Sequence, residues 1–135
     1  MLYIRWQESN NLGIEIIDEQ HRGVVSVINS YYHYVRTGKS KEALILTKGI
    51  LDEMTALHFK TEEAYLTEHG YPHLPSHAIL HEKLFRTMAR SFEDSLKNDD
   101  PDSFLRFLKD WWLHHINEED RTYARYLEVN GKLDK

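Results

Sequence analysis

The sequence predicts an all-α protein, an up-down-up-down four-helix bundle preceded by an N-terminal arm. In four long segments of the 135-residue chain, apolar residues recur at the spacing of an amphipathic helix. Short turns separate these segments, and no segment sustains the alternation typical of a β-strand. Helices joined by such short connections pack most simply as antiparallel neighbours.

Residues 1–135 are predicted to form one domain. Its elements are an arm at 1–17 and four helices, at about 18–37, 40–69, 76–97 and 101–130. Asp18 is the expected N-cap of the first helix. Residues 70–75 contain a glycine and two prolines, which separate the second helix from the third. Asp100 and Pro101 suit the N-cap and first position of the fourth helix. The arm shows no sustained period, and we expect it to lie in order over the bundle.

Composition excludes several classes of function. Apolar residues make up 41% of the chain, which argues against disorder, and the formal charge of −5 argues against nucleic acid or an anionic membrane as partner. The first residues lack the pattern of a signal peptide, and the longest apolar stretches fall far short of the ~20 residues that a membrane helix needs. We therefore expect a soluble cytoplasmic protein.

The histidines are the most informative residues. Each predicted helix carries one on its apolar stripe, so four should point into the bundle: His21, His58, His81 and His115. Glu62 lies one turn after His58, and His77 lies one turn before His81, on the same helix faces. Buried ionisable groups are costly unless they are paired or bind metal. Histidine and carboxylate suit iron, and the absence of cysteine removes thiolate sites, so the pattern indicates a metal pair.

A single His-x-x-x-His or His-x-x-x-Glu on one helix is more often structural than metal-binding. Four helices that each offer an inward ligand are much harder to explain by coincidence. The remaining histidines are interpreted as surface or loop residues, with His73 the least certain because it precedes His77 by four positions: His33, His69, His73 and His114.

Spacing does not identify the carboxylate of the fourth helix. Glu119 is the i+4 neighbour of His115, whereas Asp120 at i+5 would be turned ~140° away on a regular α-helix. The pattern alone favours Glu119, or the pair His114 and Glu118.

Motifs along nearly the whole chain resemble the hemerythrin family, and specifically its single-domain bacterial members. The matching blocks are Trp6, residues 13–21 ending in His21, His58-Phe59-x-x-Glu62-Glu63, Tyr71-Pro72, His77-x-x-x-His81 and Trp111-x-x-x-His115-Ile116-x-x-x-Asp120-x-x-Tyr123. This resemblance implies a non-haem di-iron centre that binds dioxygen. It assigns His77, His81 and His115 to one iron and His21 and His58 to the other. Glu62 and Asp120 would bridge the irons together with an oxo or hydroxo group, against the spacing argument at Asp120.

Trp112 departs from the family pattern, which usually has leucine at this position, lining the dioxygen pocket. An indole there would shrink that pocket or seal an entry path, or it would turn outward and pack on the arm. Both alternatives remain open from the sequence, and we include Trp112 as a candidate ligand-pocket residue.

The resemblance implies reversible dioxygen binding, for oxygen carriage, delivery or storage, in a protein that is not an enzyme. One alternative is an oxygen- or redox-sensing domain that acts on a signalling partner or a fused domain. Another is a di-iron enzyme that scavenges peroxide or nitric oxide. The sequence does not determine the oligomeric state.

Overall fold

The computed structural model describes residues 1–132, except the side chain of Ile116, and shows a bundle of four long helical rods. The first three rods are α1 at Glu15–Arg36, α2 at Lys41–Glu68 and α3 at Leu74–Lys97. The fourth rod continues from α4 at Pro101–Trp111 through a π-helical segment at Trp112–Glu119 into α5 at Asp120–Val129. Helix α1 packs on α2 and α4, and α3 packs on α4 and α2, so the rods close around a common interior. The predicted four-helix bundle is confirmed, and residues 1–132 contain no strand.

None of the helices within the described residues combines the length and the apolar character needed to cross a membrane.

The start of α1 differs from the prediction. Asp18 is not the N-cap, because α1 begins at Glu15 and Asp18 lies in its first turn. The buried Asp18 carboxylate instead accepts hydrogen bonds from the backbone N–H groups of Leu12 at 2.7 Å and Gly13 at 3.1 Å. Gly13 has φ +92°, a conformation that glycine adopts without strain, and this turns the chain back over the helix. Asp18 therefore fastens the arm to α1.

The start of the fourth rod agrees with the prediction. The Asp100 side chain accepts a hydrogen bond from the Ser103 N–H at 3.3 Å, and Pro101 occupies the first helical turn, where its missing N–H costs nothing.

Hydrogen bonds attach the arm to the bundle at two points, Ile4 and Ser9. The Ile4 N–H donates to Asn29 Oδ1 at 2.8 Å, and Asn29 Nδ2 donates to the Ile4 carbonyl at 2.9 Å, so the arm is tied to α1. Arg121 Nη2 on α5 donates to the Ser9 carbonyl at 2.6 Å. Between these two attachments the arm carries Trp6 across the bundle.

The interior has two apolar clusters separated by a polar layer. The larger cluster includes Val24, Ile28, Tyr31, Leu51, Phe59, Met88, Phe92, Phe104, Leu105 and Leu108. The smaller one consists of Leu12, Ile14, Ile17, Leu66, Tyr71, Tyr123, Ala124 and Leu127. Each fully buried large apolar side chain contributes about 1.5–3 kcal/mol, so the clusters supply the stability that allows the layer between them to be polar.

Candidate metal centre

Seven ionisable side chains from all four rods form the polar layer. They are His21 on α1, His58 and Glu62 on α2, His77 and His81 on α3, His115 on the π-helical segment and Asp120 at the start of α5. Each is buried, and four of them are fully excluded from solvent: His21, Glu62, His115 and Asp120. The structure thus brings together the seven side chains that the family resemblance assigned as ligands.

These side chains form two groups, each able to surround one ion. One group contains His77, His81 and His115, the other contains His21 and His58, and Glu62 and Asp120 belong to both. Within each group, one potential ligand atom from every member lies within 4.8 Å of the others. We refer to them as the three-histidine group and the two-histidine group.

Glu62 divides its two oxygens between the groups. Oε2 lies 3.0 Å from Nε2 of His58, whereas Oε1 lies 3.0 Å from Nε2 of His81 and contacts Nε2 of His77. The buried Tyr123 hydroxyl donates a hydrogen bond to Oε2 at 3.1 Å, which fixes the orientation of the carboxylate. One oxygen of Glu62 therefore serves each group.

Asp120, like Glu62, directs one carboxylate oxygen to each group. Oδ2 lies 3.3 Å from Nε2 of His21, and Oδ1 lies 3.3 Å from Nε2 of both His77 and His115. Two carboxylates with one oxygen directed to each group have the arrangement of ligands that bridge a pair of metal ions.

Several buried donor and acceptor atoms of the layer have a charged neighbour at 3.0–3.3 Å but make no well-directed hydrogen bond among the described residues: Nε2 of His81, Nε2 of His115 and both carboxylate oxygens of Asp120. Leaving such an atom unpaired costs about 1–3 kcal/mol. All four atoms point into the cluster, and imidazole nitrogen with carboxylate oxygen is a donor set suited to iron. The residues present therefore fit a pair of metal ions.

Burial and the two carboxylates act in opposite directions on the pKa values of the histidines in the layer. Burial lowers the pKa of His58, but the nearby carboxylates of Glu62 and Asp120 raise it to about 9. Burial acts likewise on His77, and the carboxylates of Asp120 and Glu62 beside its Nε2 raise its pKa to about 10. Burial lowers the pKa of His21 more than its contact with Asp120 raises it.

The two carboxyl groups remain ionised. Burial works to raise the pKa of Glu62, but His58, His77 and His81 hold it well below its ordinary value. Burial and the charge of Glu62 also act to raise the pKa of Asp120. The pKa is nevertheless lowered, because the combined effect of three histidines is larger: His115, His21 and His58. The layer therefore presents two anions that require positive charge close by.

The π-helical segment explains why Asp120 joins His115 in the cluster. The Asp120 N–H donates to the His115 carbonyl, the i to i+5 bond of a π-helix, whose wider turn brings residues five apart onto one face. Spacing that assumed a regular α-helix favoured Glu119, or His114 with Glu118, and this expectation was wrong. His114 and Glu118 are exposed and pair with each other at 3.1 Å on the surface.

The other histidines lie outside the layer. His33, His73 and His114 are exposed and His69 is half-buried, as predicted for surface or loop positions.

Trp112 lies between the metal-candidate cluster and the arm, and it is not turned outward. It is 1% exposed, with its ring edge-on to His21 at a centroid distance of 5.5 Å. Its ring also lies 5.9 Å from that of Trp6 in the arm, and the Arg22 guanidinium covers Trp6 at 5.4 Å. The indole therefore walls the two-histidine group and packs on the arm at the same time.

Three supporting residues were not nominated as site residues from the sequence: Tyr123, Glu63 and Gln20. A fourth, Glu119, was favoured by spacing as a ligand, but it lies at Nδ1 of His115 and is not a member of either group. Tyr123 holds Glu62, as described above. Glu63 Oε2 lies 2.8 Å from Nδ1 of His81, Gln20 Oε1 lies 3.3 Å from Nδ1 of His58, and Glu119 Oε1 lies 3.6 Å from Nδ1 of His115. Gln20, Glu63 and Glu119 each lie next to a predicted ligand in the sequence. This adjacency could have identified them as supporting residues, but helical spacing takes no account of it.

Comparison with known proteins gives a consistent result. A sequence profile described as the hemerythrin HHE cation binding domain matches residues 12–127. The chain is 30% identical over 134 residues to a bacteriohemerythrin of Stenotrophomonas maltophilia, covering 96% of this chain and 85% of that protein. It is also 30% identical over 122 residues to a hemerythrin of Sipunculus nudus, covering 90% and 92%. A crystal structure of a hemerythrin leucine-to-alanine variant shares the fold with a TM-score of 0.79 at 23% identity, covering 93% of this chain and 97% of that one.

Proposed function

This chain belongs to the hemerythrin family, and we propose that it binds dioxygen reversibly at a di-iron centre, for oxygen carriage, delivery or storage. The three-histidine group would hold one iron and the two-histidine group the other. Glu62 and Asp120 would bridge the two, together with an oxo or hydroxo group. The observation that supports this assignment best is that both shared carboxylates direct one oxygen to each histidine group.

The two groups offer unequal numbers of protein ligands. The three-histidine group has five members and the two-histidine group has four, because both include Glu62 and Asp120. An iron with fewer protein ligands keeps a coordination position for a small molecule. We therefore place dioxygen binding at the iron of His21 and His58.

The chain surrounds the centre as a whole with side chains that exclude water and fix the ligands. Trp112 covers His21, and Phe59 stacks on His81 at a centroid distance of 3.8 Å. Tyr123 holds Glu62 by a hydrogen bond. When bound, a di-iron centre supplies dioxygen binding coupled to electron transfer from the two irons. An apolar, fixed surround limits water access and tunes the redox behaviour of such a centre.

An anaerobic optical titration with an iron assay tests this proposal. The reduced, iron-loaded protein is exposed to oxygen, which is then removed. We expect about two irons per chain and a visible charge-transfer band that appears with oxygen and disappears on its removal. A protein without iron, or one that oxidises once and irreversibly, contradicts reversible binding.

A second candidate, oxygen or redox sensing, is favoured by the contact of Trp112 with both His21 and the arm residue Trp6. A change at the two-histidine iron would then reach the arm through two rings. Protection of the arm amides from hydrogen exchange, compared in the reduced and oxidised proteins, distinguishes the candidates. A carrier should show equal protection, whereas a sensor should lose protection near Trp6 in one state.

We expect bound dioxygen to be released unchanged and not consumed. Sustained consumption of peroxide or nitric oxide by the reduced protein would instead identify a scavenging enzyme.

A further inference from the structure

The outward-facing Nδ1 atoms of the clustered histidines have unequal partners. Nδ1 of His81 lies 2.8 Å from the carboxylate of Glu63, whereas Nδ1 of His58 lies 3.3 Å from the amide oxygen of Gln20. Nδ1 of His115 lies 3.6 Å from Glu119, beyond hydrogen-bond distance. Nδ1 of His21 has no hydrogen-bond partner among the described residues. His81 therefore has the strongest of these contacts.

A carboxylate at Nδ1 changes how an imidazole binds metal. It accepts a hydrogen bond from the Nδ1–H group, which leaves the lone pair of Nε2 to bind the metal and fixes the orientation of the ring. A hydrogen bond to an ionised acceptor is roughly twice as strong as one to a neutral amide. The contact of Glu63 should therefore strengthen His81 as a ligand more than the contact of Gln20 strengthens His58.

The surroundings of His81 restrict its ring further. Phe59 stacks on it in parallel, with 3.8 Å between centroids and 5° between planes. Glu63 follows Glu62 on α2, so a single helical turn supplies both the shared carboxylate and the support for a histidine on α3. Glu63 is only 28% exposed, in the wall of a cavity of about 450 Å³ between α2 and α3.

We propose that Glu63 is a positioning residue that holds His81 with its proton on Nδ1 and its Nε2 towards the metal. The three-histidine half of the centre is thereby the stronger donor half, and the half supported by Gln20 is the weaker one. This inference rests on the proposed di-metal centre, and it assigns a role to a carboxylate that does not itself bind metal.

Zinc is a suitable probe, because it accepts the same ligand types and is diamagnetic. In zinc-loaded wild-type protein, the Nδ1 proton resonance of His81 should be strongly downfield. Glu63→Gln keeps an acceptor and removes its charge, whereas Glu63→Ala removes both. We expect the His81 resonance to move upfield in Glu63→Gln and further in Glu63→Ala, with that of His58 unchanged.

A competition with a zinc chelator gives the second readout. Removal of a hydrogen-bond partner behind a ligand typically weakens metal binding 10–100-fold. In Glu63→Ala, one of the two zinc ions should therefore be lost at a free chelator concentration about 10–100-fold lower than in the wild type. Glu53→Gln is the matched control, since Glu53 is exposed on the same helix.

The possible results separate this inference from the proposed function. Two zinc ions per wild-type chain, with an unmoved His81 resonance and unchanged affinity in both Glu63 variants, would overturn the role of Glu63 and leave the centre intact. Fewer than two zinc ions bound by the wild type would overturn the di-metal centre and this inference together.

Discussion

The two halves of the candidate centre share two carboxylates and differ in almost everything else. The three-histidine half has a charged partner behind His81 and the parallel ring of Phe59 against it. The two-histidine half has an amide behind His58 and the edge of the Trp112 indole against His21. In our proposal, the first half would hold a metal firmly, and the second would keep a restricted space beside one.

The comparison shows that the asymmetry lies in the surroundings as much as in the ligand count. Each shared carboxylate treats the two halves alike, with one oxygen for each. The difference comes from residues that contact the ligands without belonging to the ligand set, namely Gln20, Glu63 and Trp112. Changes at the ligands should therefore test whether the centre exists, and changes at the neighbours should test why its halves differ.

The largest expected effect is at His115. His115→Ala removes a proposed, buried ligand of the three-histidine half and one of the three histidines that lower the pKa of the buried Asp120. We expect iron content to fall from about two per chain to about one or fewer. His114→Ala is the matched control, because this neighbouring histidine is exposed and should keep full iron content. Full iron content in His115→Ala would remove His115 from the ligand set.

The next effect tests the π-helical segment. Inserting one alanine after Glu118 should turn Asp120 ~100° away from His115 and lose most bound iron. Deleting Glu118 should bring His115 and Asp120 to i+4 spacing on a regular α-helix, which keeps them on one face and preserves binding. Iron content and circular dichroism check both variants. Equal iron loss in the two would mean that the phase of the helix does not position Asp120.

This segment also marks how far the sequence alone could lead. His21, His58, Glu62, His77 and His81 lie on regular α-helices, so the three- and four-residue spacing placed them correctly on inward faces. Asp120 follows a change from α-helix to π-helix that no residue type in the segment predicts. Only the family resemblance identified Asp120 as a ligand. The N-cap prediction at Asp18 was also wrong, because its bonds to Leu12 and Gly13 depend on how the arm folds back.

Proton release provides a smaller effect, set by the charge balance of the metal-free layer. The pKa values of about 9 for His58 and about 10 for His77 lie above the ordinary histidine value, so both are protonated in the folded, metal-free protein at neutral pH. Metal ligands must be deprotonated, so loading should release at least roughly two protons per chain.

Because metal binding displaces these protons, metal affinity should depend on pH. Metal affinity should rise with pH and level off above the pKa values of about 9 and about 10, where no proton remains to be displaced. Anaerobic addition of ferrous iron to weakly buffered protein, followed with a pH electrode, measures the release. Loading without proton release would contradict this charge balance.

The smallest effect concerns the wall of the two-histidine half. Trp112→Leu should open space beside His21, admit water and speed autoxidation several-fold, at a cost of about 2–4 kcal/mol in the free energy of unfolding. Trp6→Leu removes only the support behind the indole and should give a weaker change of the same sign. Stopped-flow decay of the oxygenated form measures both variants. An unaltered rate in Trp112→Leu would leave this tryptophan with a packing role only.

The central claim is that two irons lie together and share Glu62 and Asp120. Mössbauer spectroscopy of oxidised protein loaded with iron-57, recorded at liquid-helium temperature in an applied field, tests it most directly. Two ferric ions joined by a single-atom bridge and two carboxylates couple antiferromagnetically, so we predict a diamagnetic ground state that accounts for all the iron. A magnetically split spectrum typical of isolated ferric ions would contradict the shared centre.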